Sequence, residues 1–104
     1  MITIMEGDQY GICIAIYDDN ETLITEDLVA DVEICLGKYI KYYSTGEITF
    51  SDGSWVFPLS QEESFGFVTS SVDCQIRVKF IGGDVIGETF ERIEIKRSRS
   101  RKEL

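Results

Sequence analysis

The 104-residue chain has no histidine, one proline, three cysteines and a formal net charge of −9. Its length suits one domain with one core, and an apolar fraction of 43% is that of a globular chain rather than a disordered one. No apolar run approaches the roughly 20 residues of a membrane-spanning helix, and the opening MITIMEGD lacks a basic segment followed by a long apolar one, so synthesis and retention in the cytoplasm are expected.

Most of the chain alternates with period two. Ile2 and Ile4 start a short strand that EGDQ breaks. In YGICIAIYD, Tyr10, Ile12, Ile14 and Ile16 share one face, and Cys13, Ala15 and Tyr17 share the other. DDNE at 18–21 is a turn cluster. VADVEICL sets Ala30, Val32, Ile34 and Leu36 against Asp31, Glu33 and Cys35, as in a half-buried strand. Gly37 interrupts, and the tyrosine-rich KYIKYYS follows, competent for a strand. STGE and SDGS bracket a short strand, ITF.

WVFPL comes next with Trp55, Phe57 and Leu59 on one parity, and Pro58, lacking an N–H, points to an edge strand or a strand end. SQEESFGF is the one place for a helical turn: Ser60 can cap it and Glu63 has the capping-box spacing. In VDCQIRVKFIGGDVIG, Val72, Cys74, Ile76, Val78 and Phe80 oppose Asp73, Gln75, Arg77 and Lys79. Gly82 and Gly83 then supply the positive φ of a tight hairpin. On the return, Ile86 and Phe90 share a parity that Ile93 and Ile95 do not, which calls for a bulge between Phe90 and Ile93. These short strands between frequent turns predict an all-β fold, an Ig-like β-sandwich or small barrel of about seven or eight antiparallel strands. Ile12, Ile14, Val32, Ile34, Ile76, Val78 and Phe80 are its expected core.

Charge divides the chain into a single domain over 1–95 and a basic arm over 96–104. The first carries five basic residues against 18 acidic ones; the arm, KRSRSRKEL, carries five against one. So acidic a body repels phosphate, which argues against direct nucleic-acid binding. Lys96, Arg97, Arg99, Arg101 and Lys102 form a candidate docking arm. Serines alternate with the arginines, so an extended arm puts Arg97, Arg99 and Arg101 on one side, suited to carboxylates of its own body or of a neighbour. With no apolar residue before Leu104, such an arm is expected to be mobile in the isolated chain. A second candidate surface is aromatic: Tyr39, Tyr42, Tyr43 and Trp55 fall in a dense aromatic stretch, and such residues are enriched at interfaces.

The inventory for catalysis is thin. Without histidine, Ser-His-Asp and Cys-His arrangements are excluded, and no phosphate-binding glycine loop is present. The many carboxylates lie on polar strand faces and in turns, where solvation is their ordinary role. DDNE lacks the D-x-D-x-D-G pattern of a calcium loop. Cys13, Cys35 and Cys74 are far apart and odd in number, as reduced thiols are, with no zinc spacing. No catalytic residue, metal or cofactor is expected, and the chain is read as not an enzyme.

Two family resemblances add to this. ITIMEGDQYGICIAIYDDNETL resembles the I-x-x-G-D-x-x-x-x-I-x-I-x-D-x-x-x opening of the N-terminal β-sandwich domains of baseplate upper proteins, from phages of Gram-positive bacteria. It covers about the first third of the chain. WVFPLSQEESF, QIRVKFIGGDVIG and SRSRKEL are similar to segments of small prophage proteins of such hosts, which read f-x-L-T-Q-e-e-T, v-Q-v-R-v-k-f-x-x-G-d-V and S-K-e-v-L. This second resemblance spans nearly the whole chain. Both are strand and turn patterns.

The resemblance implies a virion structural protein made in the host cytoplasm. Such a protein is an adaptor or anchor at the baseplate, neck or head-fibre attachment, joined to other phage structural proteins and to copies of itself, with trimer and hexamer among the symmetries left open. The chain is shorter than a baseplate upper protein, with no helical stalk after Ile95, so tail, neck and capsid positions stay open. The residues also admit a carbohydrate-binding sandwich that stacks Trp55 and the tyrosines on sugar rings, and an acidic inhibitor that mimics nucleic acid. No membrane partner is expected.

Overall fold

The computed structural model describes residues 2–104. Eight strands form two sheets: β1 (Thr3–Met5), β2 (Tyr10–Ile14), β3 (Val29–Leu36), β4 (Tyr39–Tyr42), β5 (Thr49–Ser51), β6 (Ser54–Leu59), β7 (Ser71–Phe80) and β8 (Val85–Lys96). The larger sheet runs β1-β8-β7-β3-β4 and the smaller β2-β6-β5, giving an all-β sandwich. A 3-10 turn at Glu26–Leu28 precedes β3, and a short helix α1 (Gln61–Phe65) follows β6. The helix has the expected capping box: Ser60 Oγ accepts from the Glu63 amide at 3.1 Å, and Glu63 Oε1 accepts from the Ser60 amide at 2.9 Å.

One pairing departs from the antiparallel expectation. β1 lies parallel to the end of β8, with Ile4 opposite Ile95, and both side chains are buried. The apolar alternation at the two chain ends therefore serves one sheet, and the connection between them is the whole domain.

The core follows the alternation. Ile12, Ile14, Val32, Ile34, Ile76 and Val78 are buried together with Trp55, Phe57, Leu59 and Ile93; Phe80, near the end of β7, is only partly buried. Ala30 does not face inward as its parity suggests. The register of β3 on β7 shifts between Val29 and Asp31, so Val29 takes the buried position and Ala30 is exposed. β6 is central in its sheet rather than an edge, but Pro58 does lie at a strand end, one residue before Leu59, and the pairing with β5 reaches no further along β6 than Val56, so no described strand on that flank awaits a Pro58 N–H.

The β7–β8 hairpin is closed by a loop longer than a two-residue turn. The Gly83 amide donates to the Phe80 carbonyl at 2.9 Å, and the Phe80 amide to the Asp84 carbonyl at 2.9 Å. Only Gly83 takes a positive φ, 101°; Gly82 does not. The register on β7 passes from Thr89 opposite Gln75 to Glu91 opposite Cys74, so Phe90 is the extra residue of a bulge at one end of the expected interval.

Candidate functional site

Three surfaces bear on function. The first is where the basic arm lands. Glu6, in the segment that ends β1, is 97% removed from solvent at its side chain. Its Oε2 accepts from Arg97 Nη1 at 3.0 Å and from Arg101 Nη1 at 2.6 Å, and its Oε1 accepts from the Ser98 amide at 2.9 Å. Both arginines also donate to main-chain carbonyls, Arg97 to Phe67 at 2.7 Å and Arg101 to Phe65 at 3.2 Å. The Arg101 guanidinium sits 4.9 Å from the Phe65 ring centroid. The Arg101 hydrogen bond, then the Ser98 amide, hold the Glu6 carboxyl down at about 2, against the opposing effect of burial.

The arm is thus clasped to its own body instead of hanging free, and the side chains that hold it are spaced by four, not alternate. Arg99 and Lys102 make no ion pair among the described residues and are exposed, and Lys96 closes β8 opposite Met5.

The second surface is the aromatic stretch, which proves largely structural. Trp55 is fully buried, and its Nε1–H donates to the Ile24 carbonyl at 3.2 Å. Tyr43 packs edge-on against it at 5.1 Å and donates its hydroxyl to Glu26 at 3.0 Å. Tyr39 packs edge-on against buried Phe67 at 5.4 Å. Tyr42 is half-buried and bonded to Glu33, which raises its own pKa. Trp55 therefore offers no face to a ligand.

The third surface was not singled out by the sequence. The smaller sheet has strands of five, six and three residues, too short to cover the ten and twelve residues of β7 and β8. Val78 and Ile86 are cross-strand neighbours on the same face, yet Val78 is 4% exposed and Ile86 61%. Phe90 and Val85 are exposed as well. A groove of about 290 Å³ opens here between β8 and the segment after β2, with Ile24, Ile76 and Val78 among its lining and Asp18, Asp19 and Glu88 also in its wall. Among the described residues no strand pairs with the outer flank of β8 from Val85 to Thr89, because β1 joins only at Glu94. The sequence signal was present in the strand lengths: ITF and WVFPL are far shorter than the stretch from Val72 to Phe80.

The remaining candidates are turn and core residues. Asp18 Oδ1 accepts from the Asn20 and Thr22 amides at 2.8 and 2.9 Å, so DDNE is knit as a turn. No group of three or more Cys, Asp or Glu side chains is gathered for a metal among the described residues, and no helix there is long and apolar enough to cross a membrane. All three cysteines are free; burial pushes the Cys74 thiol up to about 11. No family model, curated protein or solved structure matches the chain.

Proposed function

We propose that the chain is a non-enzymatic structural module of a phage particle, an adaptor that joins copies of itself and a larger virion component at the baseplate, the neck or a head-fibre attachment. The observation that carries this reading is the uncovered half of β8. A sandwich that acted alone would leave an unpaired strand flank and exposed Ile86 and Phe90 as an association hazard; in an assembly module the same features are a docking surface. The sequence resemblance to virion proteins supplies the setting. The clasped arm supports it by leaving Arg99 and Lys102 outward on an otherwise acidic body. The buried Trp55 favours this reading over sugar stacking.

Quantitative mass spectrometry of gradient-purified particles tests it. The chain should be present in a fixed whole-number ratio to a major structural protein. Its absence from particles, with abundant chain left in the lysate, would reject the virion assignment.

A further inference from the structure

The groove beside β8 has three properties that together define an occupant. Its lining from Ile76, Val78, Ile24 and Ile86 is apolar. One wall is a strand flank whose backbone, among the described residues, has no partner strand from Val85 to Thr89. Its charged lining residues are Asp18, Asp19 and Glu88, with no cation among them. Glu88 stands opposite buried Ile76, so its carboxylate is on the sandwich-facing side of the strand.

We propose that this flank is a strand-addition site for an extended segment of a different virion protein, one that alternates apolar residues toward the groove and carries a Lys or Arg against Glu88. An unpaired flank bonds an incoming extended chain through its main chain, while the groove selects alternate side chains. The charges select further. An inward-pointing carboxylate blunts indiscriminate edge pairing, and an arriving cation turns that penalty into a charge-assisted contact. The bulge at Phe90 breaks the ladder, which limits pairing to the five residues from Val85 to Thr89.

The occupant is not a second copy of this chain. Antiparallel edge-to-edge pairing centred on the flank would set Glu88 opposite the other copy's Ile86 and leave the two Glu88 carboxylates diagonal to one another on the same face, with no groove cation to offset either. The arm has cations but no apolar residue before Leu104, and the N-terminal MITIM has apolar residues but no cation. Three stretches combine both: QIRVKF and ERIEIK are already paired with each other's strands as β7 and β8, and in KYIKYY, which forms the edge strand β4, Lys41 is already bound to Glu63 at 2.9 Å.

This site rests on the assembly reading, and its test separates the two. The probe is a synthetic nine-residue peptide alternating valine and threonine, with one lysine replacing the central valine; the control carries glutamate there. Both are titrated to millimolar against the full chain, and amide exchange and chemical shifts are followed by NMR. The lysine peptide should slow exchange at alternate amides between Val85 and Thr89 and bind roughly tenfold or more tighter than the glutamate peptide. Glu88→Lys should invert that preference, and Ile86→Asp, at an exposed position that leaves the fold intact, should abolish both.

Absence of protection at 85–89, binding without charge preference, or no inversion in Glu88→Lys would overturn the site. The particle measurement stands apart from this. Incorporated chain with no peptide binding removes only the strand-addition site, whereas peptide binding with chain absent from particles removes the virion setting.

Discussion

Trp55 is the residue whose removal tests the packing most sharply. Its ring lies between the sheets with no exposed surface, held by Tyr43 at 5.1 Å and Phe50 at 4.8 Å, and its indole N–H satisfies the Ile24 carbonyl. Replacing a buried Trp or Phe by Ala typically costs about 3–5 kcal/mol through lost transfer energy and residual cavity. The orphaned Ile24 carbonyl adds about 1 kcal/mol or more unless solvent enters the cavity. These contributions overlap, so about 4–5 kcal/mol is expected for Trp55→Ala. A domain of this size has about 5–15 kcal/mol in total, which leaves the variant near the edge of folding. Trp55→Phe keeps most of the packing but loses the N–H, and about 1–3 kcal/mol is expected.

The assay is urea unfolding followed by far-UV circular dichroism, because Trp55 is the only tryptophan and its loss removes the fluorescence signal. A Trp55→Ala protein that unfolds cooperatively within about 1 kcal/mol of the wild type would refute a core built around this ring.

Further expectations follow from the clasp, the core and the thiols. Glu6→Gln should release the arm, seen as faster tryptic cleavage after Arg97 and Arg101 while the sandwich resists; equal rates would mean the clasp does not hold the arm. The Glu6 carboxyl is depressed in the folded chain from 4.5 to about 2. Its contribution is thus fully present above about 4.5 and is lost as pH falls toward 2. Arm resonances should sharpen over that interval in the wild type, and an arm unchanged at pH 2 would contradict the assignment. Val78→Asp buries an unpaired charge and should leave the chain unfolded by circular dichroism; a soluble, cooperative variant would show the strand face to be reversed. Alkylation of the native chain at neutral pH should label exposed Cys13 and spare buried Cys74, and prompt labelling of Cys74 would show that its pocket opens.

Local chemistry made much of this fold legible. Alternation placed Ile12, Ile14, Val32, Ile34, Ile76 and Val78 in the core because each lies in a regular strand with one buried face. The Ser60–Glu63 spacing announced the helical turn because a capping box is completed within four residues. The parity break after Phe90 announced a bulge, but the shift at Ala30 gave no such sign, since Val29 and Ala30 are both apolar.

Long-range partners were the illegible part. The arm's charge was plain in the sequence, whereas its target, Glu6, lies 91 residues from Arg97 and owes its position to the parallel pairing of β1 with β8. In the sequence the tyrosines and Trp55 stood as a candidate interface; Tyr39 and Tyr43 pack on Phe67 and Trp55 because the sheets bring them there. The open flank of β8 depends on where the smaller sheet stops, which no single segment encodes.

The most direct measurement of the central claim is a cryo-electron microscopy reconstruction of purified particles that resolves this chain. The assembly reading expects the eight-stranded sandwich at symmetry-related positions, with the β8 flank around Val85 to Thr89 covered by a strand of another protein. Particles that lack the chain, or that seat it through another face while Ile86 and Glu88 remain in solvent, would contradict it.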